Sequence, residues 1–345
     1  MRYLKEHICY GMLPAMMMFI MAGMLPSCSD DDAPAVNDST MQIVGFTRSG
    51  EPTPANDAYS PLNLYFYSTE DGTQNGKFYF NGTIWKSAVE VTGGHTYSIY
   101  GYAPATGGTC NVSSISHDGA TMAISGLTTV NAEDVCIVVG VQQLESPSTE
   151  KDIPLGSFDI TGVAGQNYMN LLVDHIYASL QCRFKVDPNY NAIRKIHIRK
   201  LELATSLSYP TGTMTVSLAA NSTGTDPITS LTWALDNGEP KDPITIFEAG
   251  DETPEVVLDT DWSIPFGMGC YVPNTNVTGG MTLITTYDIY DHKGNLIRKD
   301  CSASNRIDGR LTSVTRGQRV TLKISVAPTY LYTLSEQDVE FMVES

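Results

Sequence analysis

The 345-residue chain has few charged residues, and the basic ones are the scarcest. Lys and Arg number 21 against 38 Asp and Glu, so the net charge is −17 at pH 7. A field of that sign repels phosphate backbones, which excludes nucleic acid as a partner. In the densest basic stretch, residues 194–200, the charges surround alternating Ile196 and Ile198. That alternation predicts a strand with a solvated outer face.

Motifs for catalysis are also absent. The chain has no Gly-x-Ser-x-Gly and no phosphate-binding glycine loop before a helix. The histidines after residue 28 stand far apart, without metal-ligand spacing: His95, His117, His175, His197 and His292. Asp259 and Asp261 stand just before Trp262 and would suit a glycosidase as a carboxylate pair, but surface charges on a strand explain them equally well. The sequence therefore predicts no enzyme, no cofactor and no metal site.

Cysteine is too sparse for a disulfide scaffold. Seven are present, without a Cys-x-x-Cys pair, and five remain once Cys9 and Cys28 are assigned to the N-terminal signal described below. Cys136 and Cys182 lie in apolar or alternating runs, which predicts small core residues. A disulfide between Cys270 and Cys301 stays open at this stage.

Long helical stripes are missing, and strand signals take their place. Apolar runs or alternating segments recur about every ten residues between turn signals such as Asp71-Gly72 and Asn75-Gly76. Apolar and polar side chains alternate along residues 178–186, and residues 135–141 form a continuous apolar run typical of a central strand. The sequence predicts an all-β protein with two series of strands, divided near residues 165–175.

The N-terminus carries an export signal. Arg2 and Lys5 precede an apolar stretch at residues 12–24, and Cys28 follows a small residue at the expected cut. Cysteine at that place predicts a lipoprotein signal, residues 1–28, with acyl chains on Cys28. The alternative is an ordinary cleaved signal with a chance cysteine. Residues 29–40 are acidic and small, as expected of a tether between lipid and folded domain.

Three segments carry a resemblance to a known family: residues 97–104, residues 175–178 with 194–198, and residues 327–338. Together with Cys28 they resemble the fimbrillin-type pilins of Gram-negative anaerobes. The resemblance implies two transthyretin-like β-sandwich domains in tandem, at residues 41–170 and 171–334. It covers nearly the whole chain after the signal.

The resemblance also implies an assembly route. In that family an arginine-specific protease removes the first strand, and a neighbour's C-terminal strand fills the groove. Arg48-Ser49 stands at the end of the first predicted strand, so the cut is expected there. The tail, residues 335–345, alternates Val339, Phe341 and Val343 with other residues, as a donor strand should. The alternatives are that Arg48 is an ordinary loop arginine, and that the tail pairs within its own domain or stays disordered.

The function expected from these features is a stalk or accessory pilin with a role in adhesion. Its partners would be other pilin subunits, the outer membrane through the lipid on Cys28 before processing, and a host or bacterial surface ligand. Its location would be the outer membrane and the fimbria. The alternative is a monomeric surface lipoprotein that binds glycans, using Trp85, Trp233 or Trp262 as a stacking surface.

Overall fold

The computed structural model describes residues 40–48, 51–53, 60–105, 108–148, 152–205, 211–236, 242–273, 280–327 and 330–341. Cys28, the signal and the tether lie outside them. Strands dominate the described residues, which confirms the all-β prediction. The helix α1 (Pro188–Asn191) follows Asp187, whose side chain accepts hydrogen bonds from two backbone N–H groups of its first turn. In these ranges no helix has the length and apolar character needed to cross a bilayer.

The strands of the described residues are numbered in chain order. The first twelve are β1 (Thr40–Arg48), β2 (Glu51–Thr53), β3 (Leu62–Ser68), β4 (Gly72–Phe80), β5 (Trp85–Glu90), β6 (Thr96–Ala103), β7 (Thr109–Ser116), β8 (Gly119–Thr128), β9 (Val130–Ala132), β10 (Cys136–Leu144), β11 (Asp159–Thr161) and β12 (Asn167–His175). The others are β13 (Ala178–Val186), β14 (Arg194–Ala204), β15 (Thr211–Ala219), β16 (Ile228–Leu235), β17 (Ile244–Glu248), β18 (Val256–Val257), β19 (Phe266–Tyr271), β20 (Thr282–Asp291), β21 (Leu296–Arg306), β22 (Gln318–Ala327) and β23 (Tyr330–Phe341).

The first sheet curls around its own core. Its strand order is β10, β12, β1, β5, β4, β3, β6 and β11, with β2 attached to β1. Cys136 and Ile137 of β10 also pair with β6, the strand before the last in this order, which closes the sheet on itself. The alternating Leu62, Leu64 and Phe66 of β3 are fully buried in this core, as the period of two requires.

The predicted turn at Asn75-Gly76 is wrong, because both residues lie within β4 and pair with Tyr65 and Leu64 of β3. Glycine is required there for space. A Cβ atom on Gly76 would lie 2.2 Å from a methyl carbon of Val89. The turn at Asp71-Gly72 is confirmed, with Gly72 at φ +76°.

Two further sheets face each other across a second core. One has the order β23, β22, β13, β19 and β9, and the other has β17, β14, β20 and β21, with β18 paired to β14. Side chains of β13 and β22, among them Phe184 and Val326, meet Ile196, Ile198 and Tyr287 of the opposing sheet. This two-layer packing is that of a β-sandwich.

The fourth sheet joins strands that are far apart in sequence. Its order is β16, β15, β8 and β7, and β8 pairs antiparallel with β15 so that Met122 lies opposite Val216. Both side chains belong to the second core. The predicted boundary at residues 170–171 falls within β12, and the division at that position stays a prediction.

Candidate functional site

The first strand lies inside a sheet rather than at its edge. β1 pairs in parallel with β12 and antiparallel with β5. Met41 and Ile43 are almost wholly buried in the first core. Because both of its edges are occupied, removal of β1 would open one groove with two exposed strand edges and an apolar floor.

Arg48 is the last residue of this inner strand. Its backbone lies opposite Val173 of β12 and Glu51 of β2. Ser49, on the other side of the predicted cut, lies outside the described residues. A protease needs an extended and unpaired substrate, so cleavage after Arg48 would require local opening of the hairpin formed by β1 and β2.

The predicted donor residues lie in a strand that is paired within the same chain. β23 runs antiparallel to β22, with Val339 opposite Val320 and Phe341 opposite Gln318. The strand continues without a break from Tyr330, so it includes residues on both sides of the predicted start of the tail at 335. Val343 lies outside the described residues. Within those residues, β22 is the one strand paired with β23.

One serine, histidine and aspartate do meet on the first half of the chain. Ser98 Oγ lies 2.7 Å from His117 Nδ1 and donates a hydrogen bond to Asp159. A hydrolytic triad places the imidazole between serine and carboxylate, one on each ring nitrogen. Here Asp159 lies 3.6 Å from the same Nδ1 that faces Ser98, and Ser98 is buried. This geometry is a polar contact between strands and does not activate a nucleophile.

The three tryptophans do not share a surface. Trp85 is 0% exposed and packs against Phe80, with ring centroids 4.7 Å apart, so its faces are closed to a sugar. Trp233 is half-buried beside Tyr177. Lys185 Nζ lies 4.4 Å from the ring centroid of Trp262, which places a cation over that indole. A stacking platform built from all three residues is therefore excluded.

None of the described cysteines forms a disulfide. They are Cys110, Cys136, Cys182, Cys270 and Cys301. Cys270 of β19 and Cys301 of β21 are among them, so the disulfide left open by the sequence is not formed in this structure.

One charged cluster on the second half fixes a short edge strand. Glu255 Oε1 lies 2.8 Å from His197 Nδ1, and Arg199 Nη1 donates to Glu255 Oε2 at 3.3 Å. These contacts, the hydrogen bond from His197 first, lower the pKa of Glu255 below its usual value. The carboxylate precedes β18 and holds it against β14.

The chain has neighbours of low sequence identity among solved structures. No family model matches the sequence, and no curated protein matches it. Among solved structures, a fimbrial protein from Bacteroides vulgatus is 14% identical with a TM-score of 0.49, over 88% of this chain and 99% of its own. A candidate cell-adhesion protein from Bacteroides uniformis is 11% identical with a TM-score of 0.45, over 88% and 99%.

A third solved structure is the fimbrial anchor protein Mfa2 from Porphyromonas gingivalis. It is 11% identical to this chain, with a TM-score of 0.32, over 88% of this chain and 97% of its own. These three neighbours are fimbrial or candidate cell-adhesion proteins, each 11–14% identical to this chain.

Proposed function

We propose that this chain is a structural subunit of a cell-surface fimbria, a stalk or accessory pilin without enzymatic activity. In this proposal it is exported as a lipoprotein on Cys28, cut after Arg48, and joined to its neighbours by strand exchange. The observation that carries the proposal is the position of β1, which ends at Arg48 and lies between β5 and β12. Cleavage at that residue would therefore release an inner strand.

The groove left by β1 would bind a donor strand tightly. Met41 and Ile43 vacate buried positions, and each such side chain stabilises by about 1.5–3 kcal/mol when fully buried. Main-chain hydrogen bonds to β5 and β12 add roughly 0.5–1.5 kcal/mol each. A strand of similar length from another subunit would recover both contributions, so the joint would resist dissociation.

The C-terminal segment is the proposed donor. Val339, Phe341 and Val343 recur every second residue, the spacing that points side chains to one face of a strand. The same segment would have to leave β22 before it could enter a neighbour, since β23 is paired within the chain. An edge strand can leave with less loss than an inner one because it has one ladder of hydrogen bonds.

The test is the N-terminus and polymer state of the surface form from native cells. An N-terminus at Ser49, together with heat-stable ladders on gels, supports the proposal. Arg48→Ala should abolish both, whereas Arg298→Ala, at an exposed position of β21, should change neither. Acylated Cys28 on all molecules of the unaltered chain, without ladders, would overturn the proposal and favour a monomeric lipoprotein.

A further inference from the structure

Three side chains of different chemistry converge where β10 begins and β12 ends. Asp134 lies in the connection between β9 and β10, Cys136 is the first residue of β10, and His175 is the last residue of β12. The register places Cys136 directly opposite His175. Residues two apart on an extended chain point to the same side, which brings Asp134 to the same cluster.

The donor atoms are close enough to share one ligand. His175 Nδ1 lies 2.8 Å from Asp134 Oδ1 and 3.8 Å from Cys136 Sγ. One ligand atom from each residue lies within 4.8 Å of the other two. The same ring nitrogen therefore faces both the carboxylate and the thiol.

The cluster is buried on two sides and open on the third. Cys136 is 0% exposed and the side chain of His175 is 1% exposed, whereas the side chain of Asp134 is 25% exposed. A small ion can reach the cluster past Asp134, and the two buried donors would hold it out of bulk water.

The geometry points to a Zn²⁺ site formed by Asp134, Cys136 and His175. Thiolate, imidazole and carboxylate are the ligands that zinc takes, whereas calcium and magnesium take oxygen. With Zn–S of about 2.3 Å and Zn–N of about 2.0 Å, tetrahedral geometry places sulfur and nitrogen about 3.5 Å apart. The observed 3.8 Å fits that separation. The carboxylate, the most exposed donor, has to move outward by a fraction of an ångström.

Supporting contacts hold the histidine end of the cluster in place. Asp174 Oδ1 accepts a hydrogen bond from the His175 backbone N–H at 2.8 Å, and Arg316 pairs with Asp174. Arg316 Nη1 also lies 3.5 Å from the His175 carbonyl oxygen. Fixed second contacts of this kind orient metal ligands.

The site would join parts of two sheets. β9 pairs with β19 in one sheet, and β10 and β12 belong to the first sheet. A metal held by Asp134, Cys136 and His175 would tie the connection between β9 and β10, which links the two sheets, to the end of β12. Three protein ligands leave the fourth position to water on the side of Asp134. Binding releases the thiol proton of Cys136, so affinity should fall as the pH is lowered.

The test uses the full purified chain, stripped of metal with a chelator. Cobalt(II) should give a thiolate-to-metal charge-transfer band and the intense visible bands of tetrahedral coordination. Zinc should displace it, bind with a stoichiometry of one and raise the melting temperature. Cys136→Ser should abolish the charge-transfer band, and Cys182→Ser, an equally buried thiol outside the cluster, should leave it unchanged.

Asp134→Asn provides a second variant, since this side chain is partly exposed and its loss should be tolerated by the fold. It should weaken zinc binding at least tenfold while the metal-free melting temperature stays close to that of the unaltered chain. A charge-transfer band that survives Cys136→Ser, or no band with the unaltered chain, would overturn the site and leave His175 and Asp134 as a structural hydrogen bond.

Discussion

The strands at the two ends of the described fold, β1 and β23, have opposite positions in their sheets. β1 has strand neighbours on both sides and places Met41 and Ile43 in a core. β23 stands at the end of its sheet with β22 as its neighbour. The loss of an inner strand exposes two edges and a core, whereas the loss of an end strand exposes one edge. The two strands should therefore differ in how much of the fold depends on them.

The topology around β1 leaves open the direction of a strand that replaces it. Because β1 is parallel to β12 and antiparallel to β5, these two neighbours run in opposite directions. Any strand inserted between them is parallel to one and antiparallel to the other, whichever way it runs. The hydrogen-bond ladder thus does not select the direction of a donor, and side-chain fit in the vacated positions has to select it.

The largest expected effect is removal of β1. A chain beginning at Ser49 should lose its cooperative urea transition, because the buried Met41 and Ile43 and two ladders leave together from a fold worth about 5–15 kcal/mol. A chain of residues 29–334, which lacks residues 335–341 of β23, should keep that transition with a modestly lower midpoint. Both are compared by circular dichroism with the chain of residues 29–345.

Equal urea midpoints for the chain beginning at Ser49 and the chain of residues 29–334 would contradict this difference between an inner and an end strand. A peptide of residues 40–48 provides the control for β1. If it restores the transition of the shortened chain, the loss was that of a strand and its groove rather than a general failure to fold.

Local pattern was sufficient to predict individual strands. The alternation at residues 178–186 gives β13 with the predicted bounds, and its residues alternate between buried and half-buried along the whole strand. Successive side chains there lie on opposite faces of the sheet, so the period of two is visible in the sequence. The pair Asp187-Pro188 likewise predicts a brief turn of helix over residues 189–193, and α1 begins one residue earlier, at Pro188.

Pairings between distant segments could not be predicted in this way. Cys136 and His175 are 39 residues apart, and each looked like an isolated residue until β10 and β12 were placed side by side. The pairing of β8 with β15 joins segments from the two predicted series of strands. Register between such strands depends on the whole fold, which local periodicity does not record.

Single substitutions within β1 should have smaller effects on the free energy of unfolding. Ile43→Ala should cost about 2–4 kcal/mol, because its side chain is 0% exposed in the first core. The adjacent Val44 is half-buried and lies at the register shift between β1 and β12, so Val44→Ala should cost less than about 1.5 kcal/mol. Urea unfolding of the two variants measures the difference, and similar losses would mean that β1 is not anchored through its core face.

The smallest expected effect concerns the charged contacts that hold β18, a strand paired on one side. β18 pairs with β14 alone among the described strands, and Glu255 precedes it beside His197 and Arg199. Glu255→Gln should destabilise by about 0.5–1 kcal/mol near neutral pH. Glu252→Gln, at an exposed position nearby, should change little.

The pH dependence gives this last test its sign. The pKa of Glu255 is lowered in the folded state by the hydrogen bond from His197 and by Arg199, relative to about 4.3 in the unfolded chain. The stability that the carboxylate contributes is therefore fully present above that unfolded value and is lost as the pH falls through the lower folded pKa. Urea midpoints of the unaltered chain and Glu255→Gln should differ by a constant amount at higher pH and converge below about pH 4. Equal midpoints of the two chains at every pH would show that the glutamate holds β18 by packing, which glutamine preserves, rather than by charge.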